Sequence, residues 1–306
     1  MLGEPLDIWK SARSGNRRGL ARALSIVEDG RDGASDILAA AHRLAGDAHL
    51  VGITGAPGAG KSTLTDRLVT HARADHDRVA VVAVDPSSPF TGGAILGDRI
   101  RMQDHTSDEG VFVRSMSSRG HLGGLADATA KLVCLLDATE HDPVFVETVG
   151  VGQSEVEVMD LVDTVVVVVT PGMGDGVQAA KAGLLETADV LTVNKGDMPG
   201  ASQVVTELTN MLELGPPRAW TPPVIVTTAS TGEGVAELAR AIDDHRRHLV
   251  DSGRLSEERR TRTEIVVRRA VLSRLSRHLV ETGIDPLVID RVVSREVDPW
   301  SAADSM

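Results

Sequence analysis

The residues GAPGAGKST (55–63) constrain the fold more than any other part of the chain, because they follow a short apolar run and open a region of helical spacing. They match the pattern G-x-x-x-x-G-K-[ST]. In this pattern, glycines let backbone N–H groups curl around phosphate oxygens, and the N-terminus of the next helix adds positive potential. We predict that Lys61 reaches the β- and γ-phosphates and that Ser62 ligates Mg²⁺. The predicted nucleotide contacts of the loop are Gly55, Ala56, Pro57, Gly58, Ala59, Gly60, Lys61, Ser62 and Thr63.

Short β-rich runs separated by longer helical stretches start just before this loop. They read HLVGITG, RVAVVAVD, VFVRSM, PVFVETV, DTVVVVVTP, DVLTVNK and PPVIVTT. Runs that are apolar throughout, without alternation, are typical of strands buried on both faces of a parallel sheet. We therefore predict an α/β fold, a P-loop NTPase with a mostly parallel sheet flanked by helices. In such sheets, ligands bind beyond the carboxyl ends of the strands.

Helical extensions are predicted on both sides of this core, which gives three segments: 1–47, 48–250 and 251–306. Apolar positions between residues 6 and 47 predict two helices joined near EDGRDGAS. Residues 254–281 predict a charged helix, which either packs on its own domain or forms a subunit contact. The apolar stripe of this helix consists of Val267, Val271, Leu272, Leu275 and Leu279.

Composition excludes several classes of protein. The 306 residues carry 44 acidic and 32 basic side chains, a net charge of -12, which argues against binding nucleic acid through its phosphates. The single cysteine, Cys134, cannot form an intrachain disulfide and is predicted to be a buried helix residue. The N-terminus lacks a signal-peptide pattern and no apolar stretch is long enough to span a bilayer, so a cytoplasmic protein is expected.

The base of the nucleotide is indicated by VNKGD (193–197), where Asn194, Lys195 and Asp197 form N-K-x-D. The aspartate of this pattern accepts hydrogen bonds from N1–H and the 2-amino group of guanine, which adenine cannot supply in that arrangement. This tetrapeptide is common by chance, but it is specific after the sixth strand of a P-loop domain. After the next strand, Thr228, Ala229 and Ser230 are predicted to place a backbone N–H on the guanine oxygen.

Three acidic residues are candidates for catalysis and for the metal site, together with Lys61 and Ser62. Glu147 ends a buried run in FVETVG (145–150), where many GTPases carry D-x-x-G and hold Mg²⁺ with the acid. The alternative is a surface glutamate at a strand end. Asp85 ends the second strand, and Asp98 follows a glycine-containing loop, where it could instead cap the helix DRIRM.

Several longer motifs extend these patterns: VDPSSPFTGGAILGDRIRM, RSMSSRGHLGGLA, ETVGVGQSEVEV and PGMGDGVQAAKAGLLETADVLTVNKGD. With the P-loop and the helical C-terminus, they closely resemble the methylmalonyl-CoA mutase-associated GTPases, the MeaB or ArgK-like family that includes the methylmalonic aciduria type A protein. The resemblance covers nearly the whole chain. It implies a homodimeric SIMIBI-class GTPase that chaperones the adenosylcobalamin-dependent mutase. GTP binding and hydrolysis would gate cofactor delivery from an adenosyltransferase and protect or reactivate the mutase.

The resemblance also implies roles for individual residues. Lys61, Ser62, Asp85, Asp98 and Glu147 would act on phosphate and Mg²⁺, and Asn194, Lys195 and Asp197 on the base. The loop from Gly172 to Lys181 matches the family's additional switch, in which Asp175 and Lys181 are linked to activation by the partner. Gly176 departs from the family pattern, which has glutamate after that aspartate.

Three other functions are compatible with the GTPase core. A nickel-inserting chaperone would need soft or imidazole ligands, but the chain has one cysteine and ten scattered histidines, of which His245 and His248 lie close together. A GTP-dependent interaction switch would bind GTP and barely hydrolyse it. A small-molecule kinase is disfavoured because N-K-x-D specifies guanine and no phosphoacceptor site is evident. We expect slow hydrolysis by the protein alone and faster hydrolysis with the mutase.

Overall fold

The computed structural model describes residues 4–85, 105, 107–117, 124–148, 157–172 and 187–305. Within them, each predicted β-rich run forms a strand of one sheet, in the order β3-β2-β4-β1-β5-β6-β7, and every strand pair is parallel. The predicted fold class is confirmed. The strands are β1 (Leu50–Gly55), β2 (Val79–Asp85), β3 (Val111–Ser117), β4 (Val144–Thr148), β5 (Thr164–Val169), β6 (Val190–Asn194) and β7 (Val224–Thr227).

The continuous apolar runs supply two cores at once, because successive side chains of a strand point to opposite faces of the sheet. In β5, Val165, Val167 and Val169 belong to the core on one face. Val166 and Val168 belong to the core on the other face. A sheet that is buried on both sides requires this lack of alternation, as the sequence predicted.

Helices cover both faces. The described helices are α1 (Pro5–Arg13), α2 (Arg17–Glu28), α3 (Ala34–His42), α4 (Lys61–Ala72), α5 (Gly124–Asp137), α6 (Ala201–Leu214), α7 (Val235–Asp251), α8 (Arg254–Thr282), α9 (Pro286–Val293) and α10 (Pro299–Asp304). Apolar residues of α1, α2, α3, α5 and α6 share one core. Those of α4 and α7 share the other.

The N-terminal extension contains one helix more than the sequence predicted. α2 and α3 flank the EDGRDGAS segment as expected, but α1 precedes them. Proline at its first position favours a helix start, and Ile8, Trp9 and Ala12 are buried on one side of it. The spacing of apolar residues over only nine positions is too short a pattern to be recognised reliably in the sequence. The helix is evident only in the structure, where it packs on α2 and α3.

At its N-terminal half, α8 is fastened to the core by arginines. Arg259 and Arg262 form ion pairs with the carboxylate of Asp163, whose side chain is 1% exposed. Arg269 donates to the Glu157 carbonyl oxygen and to Asp160, at 2.9 Å in each case. Beyond these contacts the apolar stripe predicted from the sequence lies exposed on α8, and Val271 and Leu275 are each at least half exposed.

β1 occupies the position from which a ligand is best reached. It pairs with β4 on one side and with β5 on the other. Strands β2, β3 and β4 all lie on the first side and β5, β6 and β7 on the second, so the direction in which strands are added reverses at β1. In open parallel sheets a crevice forms beyond the carboxyl ends of the strands at such a point. The segment 55–63 leaves the sheet here and leads into α4.

Candidate functional site

The loop between β1 and α4 has a backbone that the glycines of its motif permit. Gly55, Gly58 and Gly60 have φ values of 145°, 77° and 87°, which disfavour other residues. A Cβ atom at Gly55 would lie 2.2 Å from the Val168 carbonyl oxygen. At Gly60 it would lie 2.4 Å from Nδ2 of Asn194. Close packing as well as backbone conformation therefore requires glycine at these two positions.

Lys61 opens α4 and is 5% exposed. Its Nζ donates hydrogen bonds to the carbonyl oxygens of Gly55, at 2.6 Å, and Ala56, at 3.0 Å. The ammonium group is thereby held against the loop at the N-terminus of the helix. Both the charge and the helix dipole favour an anion at this place.

Glu147 lies beneath the loop and is 3% exposed, so it is not a surface glutamate. Its position on β4 is opposite Ile53 of β1 in the strand register. The Ser62 hydroxyl donates to Glu147 Oε1 over 2.6 Å. This contact joins the first turn of α4 to the strand-end acid, and the two oxygens suit a hard cation such as Mg²⁺.

Two buried threonines, which the sequence motifs did not single out, connect the same strand ends. The hydroxyl of Thr148 donates to that of Thr54 at 3.1 Å, and neither side chain is exposed. Thr54 directly precedes Gly55, and Thr148 directly follows Glu147. The hydrogen bond therefore fixes the phosphate loop relative to the acid.

Asn194 connects the P-loop, residues 55–63, with the loop that follows β7. Its Nδ2 donates to the Ala59 carbonyl oxygen at 2.8 Å, and its Oδ1 accepts from the backbone N–H of Ala229 at 3.1 Å. The Thr227 hydroxyl donates to the same Oδ1. With 2% exposure, Asn194 braces two loops from within the protein.

The rest of the N-K-x-D segment turns outward. Lys195 has a positive φ of 59°, and Asp197 is exposed. The N–H of Gly196 donates to the Thr227 carbonyl oxygen at 2.9 Å, which ties the segment to the end of β7. Thr228 and Ala229 are buried and Ser230 is exposed; together they form the wall facing this segment.

Some predicted site residues fall outside the described part of the chain: Asp98, Asp175 and Lys181. Asp85 ends β2, and its backbone is in register with Ser117 of β3, but its side chain also lies outside the described part. The described residues thus bring together the P-loop, Glu147, the segment 194–197 and the loop 228–230 at the carboxyl edge of the sheet.

A second polar cluster lies at the amino ends of the strands, and no motif announces it. The Thr164 hydroxyl contacts Nε2 of His49 at 2.8 Å and Nδ1 of His245 at 2.9 Å. Nε2 of His245 lies 3.4 Å from Oδ1 of Asp189. The Trp220 ring packs against His245, with ring centroids 5.1 Å apart. His245 is thus a buried structural residue.

Burial governs the protonation of this second cluster. Desolvation, with Arg246 nearby, lowers the pKa of His49 to about 3, and desolvation lowers the pKa of His245 to about 4. Burial also raises the pKa of Asp189 to about 7, although the hydrogen bond from the Val165 N–H acts to lower it. At Asp163, Arg262 and Arg259 outweigh the opposing effect of burial and hold the pKa at about 2.

The chemistry of other candidate groups is limited. Cys134 lies half-buried in α5, and burial raises the pKa of its thiol to about 11, which makes it a poor nucleophile at neutral pH. Within the described ranges, no group of three or more His, Cys, Asp or Glu side chains could hold a metal ion. None of the helices described here is long and apolar enough to cross a membrane.

Comparisons with known proteins place this geometry in a family. Residues 20–283 match the model described as "Methylmalonyl Co-A mutase-associated GTPase MeaB". A putative GTPase of Pyrococcus horikoshii is 47% identical over 308 residues, covering 98% of this chain and 97% of the relative. The GTPase ArgK of Escherichia coli is 37% identical over 277 residues, covering 87% and 83%.

A solved structure agrees with these relatives. The crystal structure of a protein described as LAO/AO transport system kinase superposes with a TM-score of 0.71 at 26% identity, covering 100% of this chain and 97% of that one. The relatives are GTPases, and the P-loop of this chain has the backbone that nucleotide phosphates require. The chain is therefore a GTPase with a P-loop fold, and it belongs to the MeaB family of methylmalonyl-CoA mutase-associated GTPases.

Proposed function

We propose that this GTPase acts as a chaperone of an adenosylcobalamin-dependent methylmalonyl-CoA mutase, using GTP binding and hydrolysis to gate cofactor delivery and to protect or reactivate the mutase. The observation that carries the proposal is the family match over residues 20–283, which spans the P-loop, the acid of β4 and both base loops. An adenosyltransferase is the proposed donor of the cofactor.

The proposed reaction is hydrolysis of the γ-phosphate. The oxygen of a water molecule forms a bond to phosphorus, the bond from phosphorus to the bridging oxygen of GDP breaks, and inorganic phosphate and a proton are released. Lys61 neutralises charge that develops on the β- and γ-phosphates, and the backbone N–H groups of residues 55–60 orient them. Catalysis by this chain is mainly positioning and charge neutralisation.

The residues present fit a Mg²⁺ ion, on the evidence of the buried Ser62 hydroxyl and Glu147 carboxylate, which lie 2.6 Å apart. Ser62 and Glu147 would hold the ion, together with Asp85 and Asp98. When bound, Mg²⁺ neutralises phosphate charge and orients the phosphate oxygens. The Ser62–Glu147 hydrogen bond keeps both groups placed for this task.

Guanine recognition is proposed to come from two loops. Asp197 accepts from N1–H and the 2-amino group of the base, while a backbone N–H of the loop 228–230 faces its 6-oxygen. Asn194 and Lys195 support this arrangement. The observed bonds of Asn194 to Ala59 and Ala229 favour a bracing role for its side chain.

We also propose that the protein is a homodimer through its C-terminal helices. Beyond Arg269, the apolar stripe of α8 continues with the exposed side chains of Val271, Leu272, Leu275 and Leu279. Exposed apolar side chains are also present on α9 and α10, namely Leu287, Val293 and Trp300. Exposed apolar surface of this kind is typical of protein contacts. Leu275→Glu is expected to yield monomers in sedimentation, whereas Leu214→Glu, at an exposed leucine of α6 away from this surface, should leave the assembly unchanged.

The chaperone function is tested by following GTP turnover while purified mutase is titrated in. Nucleotide-dependent binding and faster turnover are expected. Asp175→Ala and Lys181→Ala, in the proposed switch, should reduce the stimulation. Lys10→Ala, whose side chain is 76% exposed and pairs with Asp7, serves as a control that should not. Equal turnover with and without saturating mutase would refute the proposal and leave the GTPase assignment intact.

A further inference from the structure

The backbone of residues 228–230 accepts hydrogen bonds from Arg67, a residue that belongs to none of the sequence motifs. Arg67 of α4 donates from Nε to the Ala229 carbonyl oxygen and from Nη2 to the Ser230 carbonyl oxygen, at 3.2 Å in each case. Carbonyl oxygens of two successive residues are thus bound by one guanidinium group. Its planar fork of donors suits this arrangement, which the single ammonium of lysine does not reproduce.

These contacts determine which way the peptide groups of the loop face. In a trans peptide, the C=O and the N–H point in opposite directions. Arg67 binds the C=O of Ala229, so the N–H of Ser230, in the same peptide group, points away from Arg67. The preceding N–H, that of Ala229, is directed at Oδ1 of Asn194. Arg67 and Asn194 therefore hold the same short loop from opposite directions.

The helix that carries Arg67 also carries the phosphate-binding residues. Lys61 and Ser62 form the first turn of α4, and Arg67 follows less than two turns later. An α-helix is stiff over this distance, so the position of the loop is fixed relative to the phosphate site. A nucleotide spans both places, which makes their separation a determinant of its affinity.

Given the base-reading role proposed above for residues 228–230, we propose that Arg67 is a positioning residue for guanine recognition: by binding the Ala229 carbonyl oxygen, it orients the backbone N–H of Ser230 toward the 6-oxygen of the base. Arg67 does not touch the nucleotide itself. Its effect falls on the affinity for nucleotides that carry a 6-oxygen, while the rate of the chemical step depends on groups at the other end of the site.

The test compares Arg67→Met with the matched variant Arg73→Met. Arg73 directly follows the same helix and makes a comparable set of hydrogen bonds, to Asp108 and to the Asp77 carbonyl oxygen, none of them to residues 194–197 or 228–230. Dissociation constants are measured for GTP, for ITP, which lacks the 2-amino group, and for 2-aminopurine riboside triphosphate, which lacks the 6-oxygen. Thermal unfolding monitors the fold, and Arg67→Gln provides a second variant that retains a donor.

We expect Arg67→Met to weaken binding of GTP and ITP by about five- to tenfold, the value of one or two lost hydrogen bonds. Binding of the 2-aminopurine nucleotide should change less than about twofold, since it has no 6-oxygen to accept from the oriented N–H of Ser230. The rate constant for hydrolysis at saturating GTP should stay unchanged. Arg67→Gln should fall between wild type and Arg67→Met, and Arg73→Met should bind all three nucleotides like wild type.

Two results would overturn this role. Equal weakening of all three nucleotides by Arg67→Met would indicate a general loss of structure, and unchanged GTP affinity would indicate that the contact is incidental. Wild-type protein that binds GTP and the 2-aminopurine nucleotide equally well would remove residues 228–230 from base recognition, and Arg67 with them. That last result is independent of the mutase, so it is distinguishable from failure of the chaperone function.

Discussion

The two edges of the sheet are built on different physical principles. At the carboxyl edge, Gly55 and Gly60 adopt conformations that bring backbone groups and Lys61 to one place. At the amino edge, side chains that are far apart in the sequence pair with one another, as Asp163 does with Arg259 and Arg262. The first edge is organised to receive a ligand, and the second is already satisfied by its own partners. Substitutions at the two edges should therefore separate activity from stability.

The largest effect is expected at the carboxyl edge. Lys61→Ala removes the cation that we propose faces the phosphates, and it should reduce the rate constant of GTP hydrolysis by on the order of a thousandfold. Because its described hydrogen bonds go to the carbonyl oxygens of Gly55 and Ala56 in the P-loop, the urea midpoint of unfolding should change little. Single-turnover hydrolysis and urea titration of the same preparation test both statements. A large loss of stability would break the contrast between the edges.

The reverse outcome is expected for Asp163→Asn at the amino edge. The substitution leaves two arginines without their buried counter-charge and should lower the free energy of unfolding by about 3 kcal/mol. Turnover of GTP in the folded protein should be unchanged. Asp160→Asn is the matched control, because Asp160 pairs with Arg269 while 40% exposed, and should cost less than about 1 kcal/mol.

The pH dependence of this difference follows from the pKa of Asp163, which the arginines hold at about 2, below its ordinary value of 3.8. The folded protein binds this proton less readily than the unfolded chain, so the ion pairs stabilise the fold above about pH 4. That stability is lost as the pH falls from about 4 to about 2. Wild type and Asp163→Asn should therefore converge in stability over this range, as measured by urea titration at successive pH values.

A smaller effect is expected at Asn194, where the two base loops meet the P-loop. Asn194→Ala removes the bonds to Ala59 and Ala229 and should weaken GDP binding by about thirtyfold, equivalent to about 2 kcal/mol. The loss should appear mainly as faster dissociation, which a fluorescent GDP analogue measures directly. Thr192→Val is the control, since its hydroxyl bonds Thr227 within the same buried strands but touches neither loop. Equal losses in both variants would contradict a bracing role for Asn194.

The last effect has the opposite sign and concerns Asp189, whose pKa burial raises to about 7 from an ordinary value of 3.8. Here the folded protein binds the proton more readily than the unfolded chain, so this group lowers stability as the pH rises from about 4 to about 7. Asp189→Asn keeps an acceptor for the Val165 N–H and removes the titration. The variant should therefore gain stability relative to wild type as the pH rises from about 4 to about 7, as measured by urea titration at successive pH values. A constant difference across that range would show that Asp189 is ionised throughout.

The same contrast explains what the sequence could predict. The P-loop and N-K-x-D could be recognised because each is a short, continuous stretch of sequence. Each follows directly after a strand, so a few successive residues supply all of its backbone and side-chain groups. Glu147 was singled out because it ends a buried apolar run, in the place where many GTPases carry D-x-x-G. Continuous valine runs predicted the sheet because burial on both faces requires them.

The contacts that could not be predicted join residues that are far apart in the sequence and that belong to no recognisable motif. Asp163 and Arg262 lie 99 residues apart, and neither residue type is unusual at its position. Arg67 binds carbonyl oxygens, which every residue possesses, so no pattern could indicate its target. The helix α1 was missed because its stability comes from packing rather than from its own short pattern.

The described arginine contacts between α8 and the core end at Arg269, and this has a geometric consequence for the rest of the helix. From Arg269, the last of the arginines fastened to the core, to its end at Thr282, the helix continues for about 20 Å at 1.5 Å per residue. Because an α-helix is stiff, a change in its direction is magnified along this length: a tilt of about ten degrees at Arg269 would displace Thr282 by about 3 Å. The contacts of Arg269 with the Glu157 carbonyl oxygen and the Asp160 carboxylate therefore contribute to the position of the exposed apolar stripe that follows them.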